Sequence, residues 1–540
     1  MKINLKYFLK NKLDGDENLL KDRVTFIVSV FIVVFFIVSA RIVHLGYFRK
    51  KKDYNNNLYN NGTLEKRVNI VDKNGVIIAA DITLSDFYLN IDLLENIDDT
   101  VEKIVGIFPD INKQRTLDRL FNAKTKLILI KKSITEKQEE SIKNSGIVGF
   151  EFEKKKGRIY PHQNLFSHIV GFTNIDGKGI SGIELQYNNY LNNHNNAPLV
   201  LTLDSRVQAI LRQELLKGQE KYKAKSMIGI VSEIKTGNVL ALVNIPDFDP
   251  NKINIEDRNL FFNRATLGVY EMGSIFKIFT IALGLDKNLI TQNEKFDVSQ
   301  TISFQDYEIK QEYFSKKFMN ASEILERSSN VGASLIGLKI GTKNMKEFLE
   351  NIGLFDRIQT NYPSLGAPIV PQSWRDINTV TISYGYGVAV TPLHVTMGIN
   401  GIVNDGVVMT PKFVGNEKYI EKIIVSPQTS KILNLYLRNA VRVGTGWKAN
   451  VLGYAVGGKT GSARILKNGK YEKGNIMANF IGIFPMNNPT YSVYVMVESP
   501  QVRENNIEVA AGNIAAPIVG RTIENIAPIL NVVPYITNKP

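Results

Sequence analysis

The stretch from Gly273 to Leu285 constrains the fold more than any other, because it is apolar on every side. A helix of that kind lies inside a large domain, whereas a surface helix carries one polar face. Ser274 stands at the expected start of this helix, and Lys277 follows at i+3 on the same face. We therefore expect the serine hydroxyl and the lysine amine to meet inside a core.

The pair of Ser274 and Lys277 has two interpretations. A lysine among apolar neighbours loses hydration of its charged form, so its pKa falls, and a neutral amine can take the proton of an adjacent serine hydroxyl. In the other interpretation the serine only caps the helix and the lysine extends to solvent. The S-x-x-K pattern is short, and Ser232 with Lys235 also matches it. The pattern alone therefore does not decide between a catalytic pair and a helix cap with a solvent-exposed lysine.

Composition limits the other kinds of chemistry. The chain has 540 residues, 44% of them hydrophobic and 22% charged, which is ordinary for folded domains. It has no cysteine, which excludes disulfides and thiolate sites, and its five histidines form no H-E-x-x-H pattern. We expect no metal and no other cofactor. The net charge of +14 suits an anionic partner, but no nucleic-acid-binding signature accompanies it.

A membrane anchor is predicted over residues 24–45. Val24 to Ala40 carries no charged residue, and this run is long enough for one transmembrane helix. A cleaved signal peptide is the alternative, but its apolar core would be shorter. Lys and Arg are evenly divided between the two flanks, so charge leaves the orientation open.

Two further regions follow the anchor, with a boundary at the Asn-rich segment Asn192 to Asn196. Residues 46–197 mix short strands with helices and begin with a hairpin that turns at Gly75, which indicates an α+β pedestal. Residues 198–532 read as strands first, helices in the middle and strands last. This order predicts helices packed on a mainly antiparallel sheet.

Particular elements are also predicted in the second region. Asp204 is expected to cap a helix, and Lys235 to Asn238 is expected to turn a hairpin. Strand patterns return near Lys459, and Thr522 to Leu530 is expected to close the domain as a helix.

Two short motifs accompany Ser274. Ser328-Ser-Asn330 interrupts a helical stretch, and a hydroxyl and an amide two residues apart can bind a peptide and relay a proton in one cleft. Lys459-Thr-Gly461 precedes a strand, where a lysine, a hydroxyl and a close backbone can hold a carboxylate. Lys235-Thr-Gly237 matches the same pattern, so each motif is weak alone.

The three motifs S-x-x-K, S-x-N and K-T-G in this order are specific, and the order selects Ser274 and Lys459. The chain resembles a class B penicillin-binding protein, a membrane-anchored peptidoglycan D,D-transpeptidase, and looks most like the septal, cell-division member. Met272 stands where that family usually has a proline, and Val68 where it usually has a glycine. Further similar segments are Arg67 to Gly75, Arg158 to Pro161, Gly171 to Asp176, Thr236 to Ala241, Asp249 to Asn251, Ser383 to Gly387, and Thr391 with Pro392.

The resemblance implies an α+β fold with one N-terminal transmembrane helix, the pedestal, and a β-lactamase-like serine transpeptidase domain. It implies a cytoplasmic tail at 1–23, a short tail at 533–540, and a catalytic domain outside the bacterial inner membrane. The implied roles are Ser274 as nucleophile, Lys277 as base, Ser328 as proton relay, Asn330 as holder of the substrate amide, Lys459 and Thr460 as carboxylate ligands, Gly461 as the point of close backbone approach, and the N–H groups of Ser274 and Ser462 as oxyanion hole.

The implied substrates are peptidoglycan stem peptides, with a D-Ala-D-Ala donor and an amine acceptor, and the implied inhibitors are β-lactams. Other cell-division and glycan-polymerising membrane proteins are implied partners. An elongation-type enzyme and a β-lactam sensor or hydrolase with the same site are alternatives. A nucleotide-binding P-loop is a remote alternative, because Gly453 to Thr460 matches G-x-x-x-x-G-K-T, although no helix is expected to follow it.

Overall fold

The computed structural model describes residues 27–42, 67–304, 307–310, 316–416, 420–467, 470–501 and 509–535. The described residues fall into two units, the helix over 27–42 (α1) and the residues from 67 to 535. Within these ranges no helix combines the length and the apolar character that a membrane crossing requires. The rest of the predicted anchor and the tail at 1–23 lie outside the described residues.

Two five-stranded sheets organise the unit from 67 to 535. The first has the order β3-β2-β1-β5 with β4 also paired to β2, and the second has the order β14-β15-β16-β6-β7. The strands are β1 (Ile70–Val71), β2 (Ile77–Asn90), β3 (Leu127–Ile134), β4 (Phe150–Ile159), β5 (Leu199–Val200), β6 (Ser226–Glu233), β7 (Val239–Ile245), β8 (Phe296–Asp297), β9 (Ile302–Phe304), β10 (Tyr307–Ile309), β11 (Phe318–Met319), β12 (Val407–Met409), β13 (Glu421–Ile423), β14 (Gly457–Lys467), β15 (Lys470–Phe484) and β16 (Tyr491–Glu498).

Helices join and cover these sheets. The α-helices after α1 are α2 (Ile97–Ile107), α3 (Lys113–Phe121), α4 (Glu136–Asn144), α5 (Ser167–Val170), α6 (Gly182–Gln186), α7 (Asn188–Asn192), α8 (Ser205–Tyr222), α9 (Lys277–Asp286), α10 (Ala321–Arg327), α11 (Asn330–Ile340), α12 (Thr342–Ile352), α13 (Asp376–Ser383), α14 (Pro392–Val403), α15 (Pro427–Arg442) and α16 (Ala511–Ile526). Short 3₁₀ helices cover Ile91–Leu93, Gln163–Phe166, Ile255–Phe261, Gly273–Phe276 and Trp447–Ala449.

The second sheet has a hydrophobic core on each face. On β16, Tyr494 and Met496 pack into a core that contains α9, whereas Val493, Val495 and Val497 pack into the core beneath α8 and α16. This alternation is the two-residue period of a strand, and burial on both faces explains why β16 has no charged residue from Val493 to Val497. Every neighbour in this sheet is antiparallel, as the order of strands and helices in the sequence predicts.

Most predicted local elements are confirmed. The hairpin at Gly75 joins β1 and β2, and Gly75 has φ of +84°, in the region that favours glycine. Asp204 caps α8 by accepting a hydrogen bond from the Arg206 N–H, and the hairpin at 235–238 joins β6 and β7. The closing helix was placed wrongly: α16 spans 511–526, because small and apolar residues from Ala511 onwards pack under the sheet.

A buried ionic cluster joins the start and end of the first region. Glu184 is fully buried and accepts hydrogen bonds at 2.7 Å from Nε of Arg67 and at 2.7 Å from Nε of Arg158. Arg158 also pairs with Asp81 at 3.0 Å. Because each buried charge has a partner, the cost of desolvation is offset only while the cluster is complete.

We predict that Glu184→Gln lowers the free energy of unfolding by about 3 kcal/mol, because it leaves the guanidinium of Arg67 buried without an anionic partner. Chemical denaturation of the purified chain measures this change. Glu102→Gln is the matched control, because Glu102 pairs with Lys113 on the open surface. Equal stability of the two variants would contradict the prediction.

Candidate active site

Ser274 lies in a tight turn that comes before α9. The predicted helix from Gly273 is a 3₁₀ turn over Gly273–Phe276 followed by the α-helix from Lys277. The N-cap position of the 3₁₀ turn is Met272 and not Ser274, and the Ser274 hydroxyl is hydrogen-bonded to Lys277. Gly273 has φ of +56°, and a Cβ there would lie 2.5 Å from the carbonyl oxygen of Ser462. Only glycine allows the turn to approach β14 this closely.

The amine of Lys277 lies at the centre of the site. Its Nζ is 2.9 Å from Ser274 Oγ, 2.6 Å from the carbonyl oxygen of Ser328, 3.1 Å from Ser328 Oγ and 2.7 Å from Asn330 Oδ1. The carbonyl oxygen and the amide oxygen can only accept, so they take two N–H groups of the amine. A neutral amine then has its lone pair left for the proton of the Ser274 hydroxyl.

The break between α10 and α11 aims the second motif at Lys277. Ser328 ends α10 in the left-handed conformation, with φ of +62°. Ser329 then caps α11, and its hydroxyl accepts a hydrogen bond of 3.0 Å from the Gly332 N–H. The middle residue of the motif therefore starts a helix, while Ser328 and Asn330 on either side of it face the lysine. The predicted interruption of this helical stretch is confirmed.

Lys459 brings the third motif to the same place. Its Nζ donates to Ser328 Oγ at 3.0 Å, to the carbonyl oxygen of Thr460 at 3.0 Å and to Thr460 Oγ1 at 3.1 Å. Ser328 Oγ is thus within hydrogen-bonding distance of both lysine amines. One hydroxyl connects Lys277 to Lys459, and through Lys277 it connects to Ser274.

Both lysines are fully buried. Burial lowers the pKa of Lys277 well below its usual range, and the positive charge of Lys459 lowers it further. Burial also lowers the pKa of Lys459 to about 7. In the described part of the chain, neither amine is hydrogen-bonded to a carboxylate that would stabilise its charge. Burial and the neighbouring charge therefore favour the neutral form of Lys277, whereas Lys459, with a pKa of about 7, keeps part of its positive charge near pH 7.

Strand β14 lines the groove beside the two lysines. Gly461 lies opposite Asn479 of β15, and a Cβ on Gly461 would lie 2.4 Å from the carbonyl oxygen of Met272. Ser462 is exposed, and its Oγ accepts a hydrogen bond of 3.2 Å from the Ala511 N–H. All eight residues that the sequence predicts for the site, at positions 274, 277, 328, 330, 459, 460, 461 and 462, are brought together.

Thr445 was missed by the sequence analysis. Its Oγ1 lies 2.8 Å from Thr460 Oγ1, and its N–H donates to the carbonyl oxygen of Glu326 at 3.1 Å. Thr460 Oγ1 also accepts from Lys459, so Thr445 helps to fix the direction of the Thr460 hydroxyl. No motif signals a single threonine in a loop, and only its place beside β14 identifies it.

The residues of the other motif matches, Ser232 with Lys235 and the P-loop pattern, lie in ordinary strand and turn structure. Ser232 lies inside the second sheet with its Oγ 2.8 Å from Ser492 Oγ, while Lys235 donates to Asn488 Oδ1 at 3.2 Å. They therefore do not form a serine–lysine pair. The P-loop match ends within strand β14, which runs on to Lys467, whereas a phosphate loop must begin a helix. The local structure of the P-loop match therefore differs from that of a nucleotide-binding site.

The chain matches two family models. Residues 227–524 match the "Penicillin binding protein transpeptidase domain", and residues 64–208 match the "Penicillin-binding Protein dimerisation domain". The first match covers more than half of the chain and includes every predicted site residue.

Curated relatives are similar over most of their length. The Caulobacter vibrioides protein named "Probable peptidoglycan D,D-transpeptidase FtsI" is 28% identical over 491 residues, which are 88% of this chain and 83% of that protein. The Neisseria gonorrhoeae protein named "Probable peptidoglycan D,D-transpeptidase PenA" is 29% identical over 548 residues, which are 93% of this chain and 92% of that protein.

A solved structure has the same fold. Penicillin binding protein 3 from Mycobacterium tuberculosis, complexed with aztreonam, matches with a TM-score of 0.67 at 22% identity, over 87% of this chain and 97% of that chain. The predicted α+β transpeptidase fold is therefore confirmed, and so is the resemblance to the septal member. The chain belongs to the penicillin-binding protein transpeptidase family, as a class B member and a serine D-Ala-D-Ala transpeptidase.

Proposed function

We propose that the chain cross-links peptidoglycan stem peptides at the division septum through an acyl-enzyme on Ser274. The observation that carries this proposal is the hydrogen-bonded chain from Ser274 through Lys277 and Ser328 to Lys459. It joins a nucleophile, a base, a proton relay and a partly charged lysine within one hydrogen-bonded cluster.

In the first half-reaction, Ser274 Oγ attacks the carbonyl carbon of the penultimate D-alanine, and its proton passes to Lys277. The C–N bond to the terminal D-alanine breaks, and that amine leaves with a proton relayed through Ser328. The N–H groups of Ser274 and Ser462 stabilise the oxyanion, a contribution of about 10² to 10³ in rate per donor. In the second half-reaction, an acceptor amine attacks the ester and releases Ser274 with its proton.

Three side chains orient the donor peptide in this proposal. Asn330 has its amide oxygen occupied by Lys277, and its amide nitrogen has no hydrogen-bond partner among the described residues, so it is available to a substrate carbonyl. The partial charge of Lys459 and the hydroxyl of Thr460 bind the terminal carboxylate. β-Lactams carry an amide carbonyl and a carboxylate in similar positions, and they would occupy the same groove.

The cellular setting is also proposed. The septal role follows from similarity to the relative named FtsI, and residues 24–45 would anchor the chain in the bacterial inner membrane. Residues 46–197 would then form the pedestal, and residues 198–532 the transpeptidase domain in the periplasm. Cell-division and glycan-polymerising membrane proteins are the expected partners.

We predict that a fluorescent penicillin labels the chain covalently and that Ser274→Ala abolishes the label, because the attacking hydroxyl is gone. Gel fluorescence measures the labelling, and peptide mass spectrometry locates the adduct. Lys235→Ala, in the alternative motif, should label like the wild type. An adduct on another residue, or none on the folded wild type, would refute the proposal.

A second prediction concerns Lys459 and pH. Its folded pKa of about 7 lies below the unfolded value of about 10.4, so between these pH values the unfolded chain binds more protons. The free energy of unfolding of the wild type should therefore rise relative to Lys459→Met as the pH increases from 7 to 10. Denaturant titrations at several pH values measure the difference.

Lys346→Met, on the exposed face of α12, is the control for this series. Its stability difference from the wild type should stay the same across the range. A difference between the wild type and Lys459→Met that does not change with pH would mean that Lys459 is not desolvated in the folded state.

A further inference from the structure

A half-buried carboxylate lies three residues before the nucleophile. Glu271 Oε1 accepts a hydrogen bond of 2.7 Å from the Gly387 N–H and one of 3.2 Å from the Tyr471 hydroxyl, and Oε2 lies 3.1 Å from the same hydroxyl. Burial raises the pKa of Glu271, and the two hydrogen bonds oppose that rise. Within the described residues no lysine or arginine pairs with it, so these two donors are its main stabilising partners.

Glu271 thereby connects three segments that meet at the serine. The first is its own segment, which continues into the Ser274 turn. The second contains Gly385, whose carbonyl oxygen accepts from the Gly273 N–H at 3.1 Å, and it also contains Gly387. The third is the β14–β15 hairpin, which carries Tyr471 on its second strand.

Tyr471 lies on the hairpin just beyond an irregularity in the pairing of its two strands. The pairing of β14 with β15 is regular from Gly457 to Arg464 and then shifts in register between Arg464 and Leu466. Tyr471 pairs with Leu466, directly beyond this irregularity. A bulge is a point where a hairpin bends, so the outer part of the hairpin is free to tilt unless something outside the ladder holds it.

Tyr386 also attaches the β14–β15 hairpin to the segment that contains Gly385 and Gly387. The Tyr386 hydroxyl accepts a hydrogen bond of 3.2 Å from the Arg464 N–H, at the inner side of the bulge. The rings of Tyr386 and Tyr471 pack edge to face with their centres 5.7 Å apart. The hairpin is thus held on both sides of its bulge by residues beside the nucleophile, and Glu271 supplies the outer attachment.

We propose that Glu271 is a positioning residue that holds the β14–β15 hairpin against the Ser274 turn, and so keeps the N–H groups of Ser274 and Ser462 in the geometry that an oxyanion needs. This inference rests on the proposed function. It assigns Glu271 no contact with substrate, because its carboxylate is occupied by Gly387 and Tyr471. A small displacement of an N–H donor slows acylation, because the stabilisation of the oxyanion depends on the distance and direction of the hydrogen bond.

The test is pre-steady-state acylation of the purified full chain by a fluorescent penicillin. We expect Glu271→Ala to lower the maximal acylation rate constant by roughly 10- to 100-fold. The penicillin concentration for half-maximal rate should stay within about twofold, because the carboxylate ligands Lys459 and Thr460 are untouched. Tyr471→Phe removes only the hydroxyl and should lower the same rate constant in the same direction.

The double variant and a control make the test specific. Because both changes break one attachment, Glu271→Ala with Tyr471→Phe should acylate no more slowly than Glu271→Ala alone. Glu472→Gln, which changes the neighbouring hairpin carboxylate, should acylate like the wild type, because it leaves the hydrogen bonds between Tyr471 and Glu271 unchanged.

Either of two results would overturn the inference: an unchanged maximal rate in Glu271→Ala or in Tyr471→Phe, or full additivity of the two effects. If Glu271→Ala does not fold, Tyr471→Phe still decides, because its ring stays in place. Failure of the wild type to be acylated on Ser274 would refute the proposed function itself and is seen before any variant is compared.

Discussion

The site depends on burying two lysine amines, away from water, beside the hydroxyl of Ser328. Ser328 Oγ is within 3.1 Å of both Lys277 and Lys459, and both amines are fully buried. Desolvation disfavours the charge on each amine, and the charge of Lys459 further disfavours a charge on Lys277. A carboxylate in the cluster would restore ordinary lysine basicity and abolish the neutral amine that Ser274 requires. The lack of such a partner at either amine, in the described part of the chain, is therefore the central chemical feature of the site.

The surrounding fold makes this arrangement possible. Helix α9 is buried from Lys277 to Leu285, so Lys277 belongs to a helix inside the core, and burial of the apolar residues of that helix offsets the cost of burying the amine. Ser328 and Gly273 both have positive φ, which turns the backbone sharply where the hydroxyls must point. The second sheet completes the enclosure by placing Lys459 on its edge strand β14, which pairs with β15.

Several functional contacts depend on backbone approaches that no motif encodes. The Ser274 turn touches β14 because Gly273 has no side chain, and Gly385 approaches Gly273 so closely that a Cβ there would overlap its carbonyl oxygen. Thr445 and Glu271 reach the site from loops, and their importance depends on what folding brings beside them. The start of α16 was missed for a related reason. Its first turns are rich in small residues, and they pack against the sheet only once the sheet has formed.

The local elements and the chemical groups of the site could be predicted from the sequence. Hairpins at Gly75 and at 235–238, the apolar helix after Ser274, and the three motifs in order are all set by residue spacing, because spacing governs which side chains share a face or a turn. Only the folded chain shows that Lys277, Ser328 and Lys459 share one hydrogen-bonded cluster, and that Ser232 and Lys235 do not form a serine–lysine pair. Those residues are far apart in the chain, and burial, which lowers the pKa of a lysine, is a property of the packed molecule and not of its sequence neighbours.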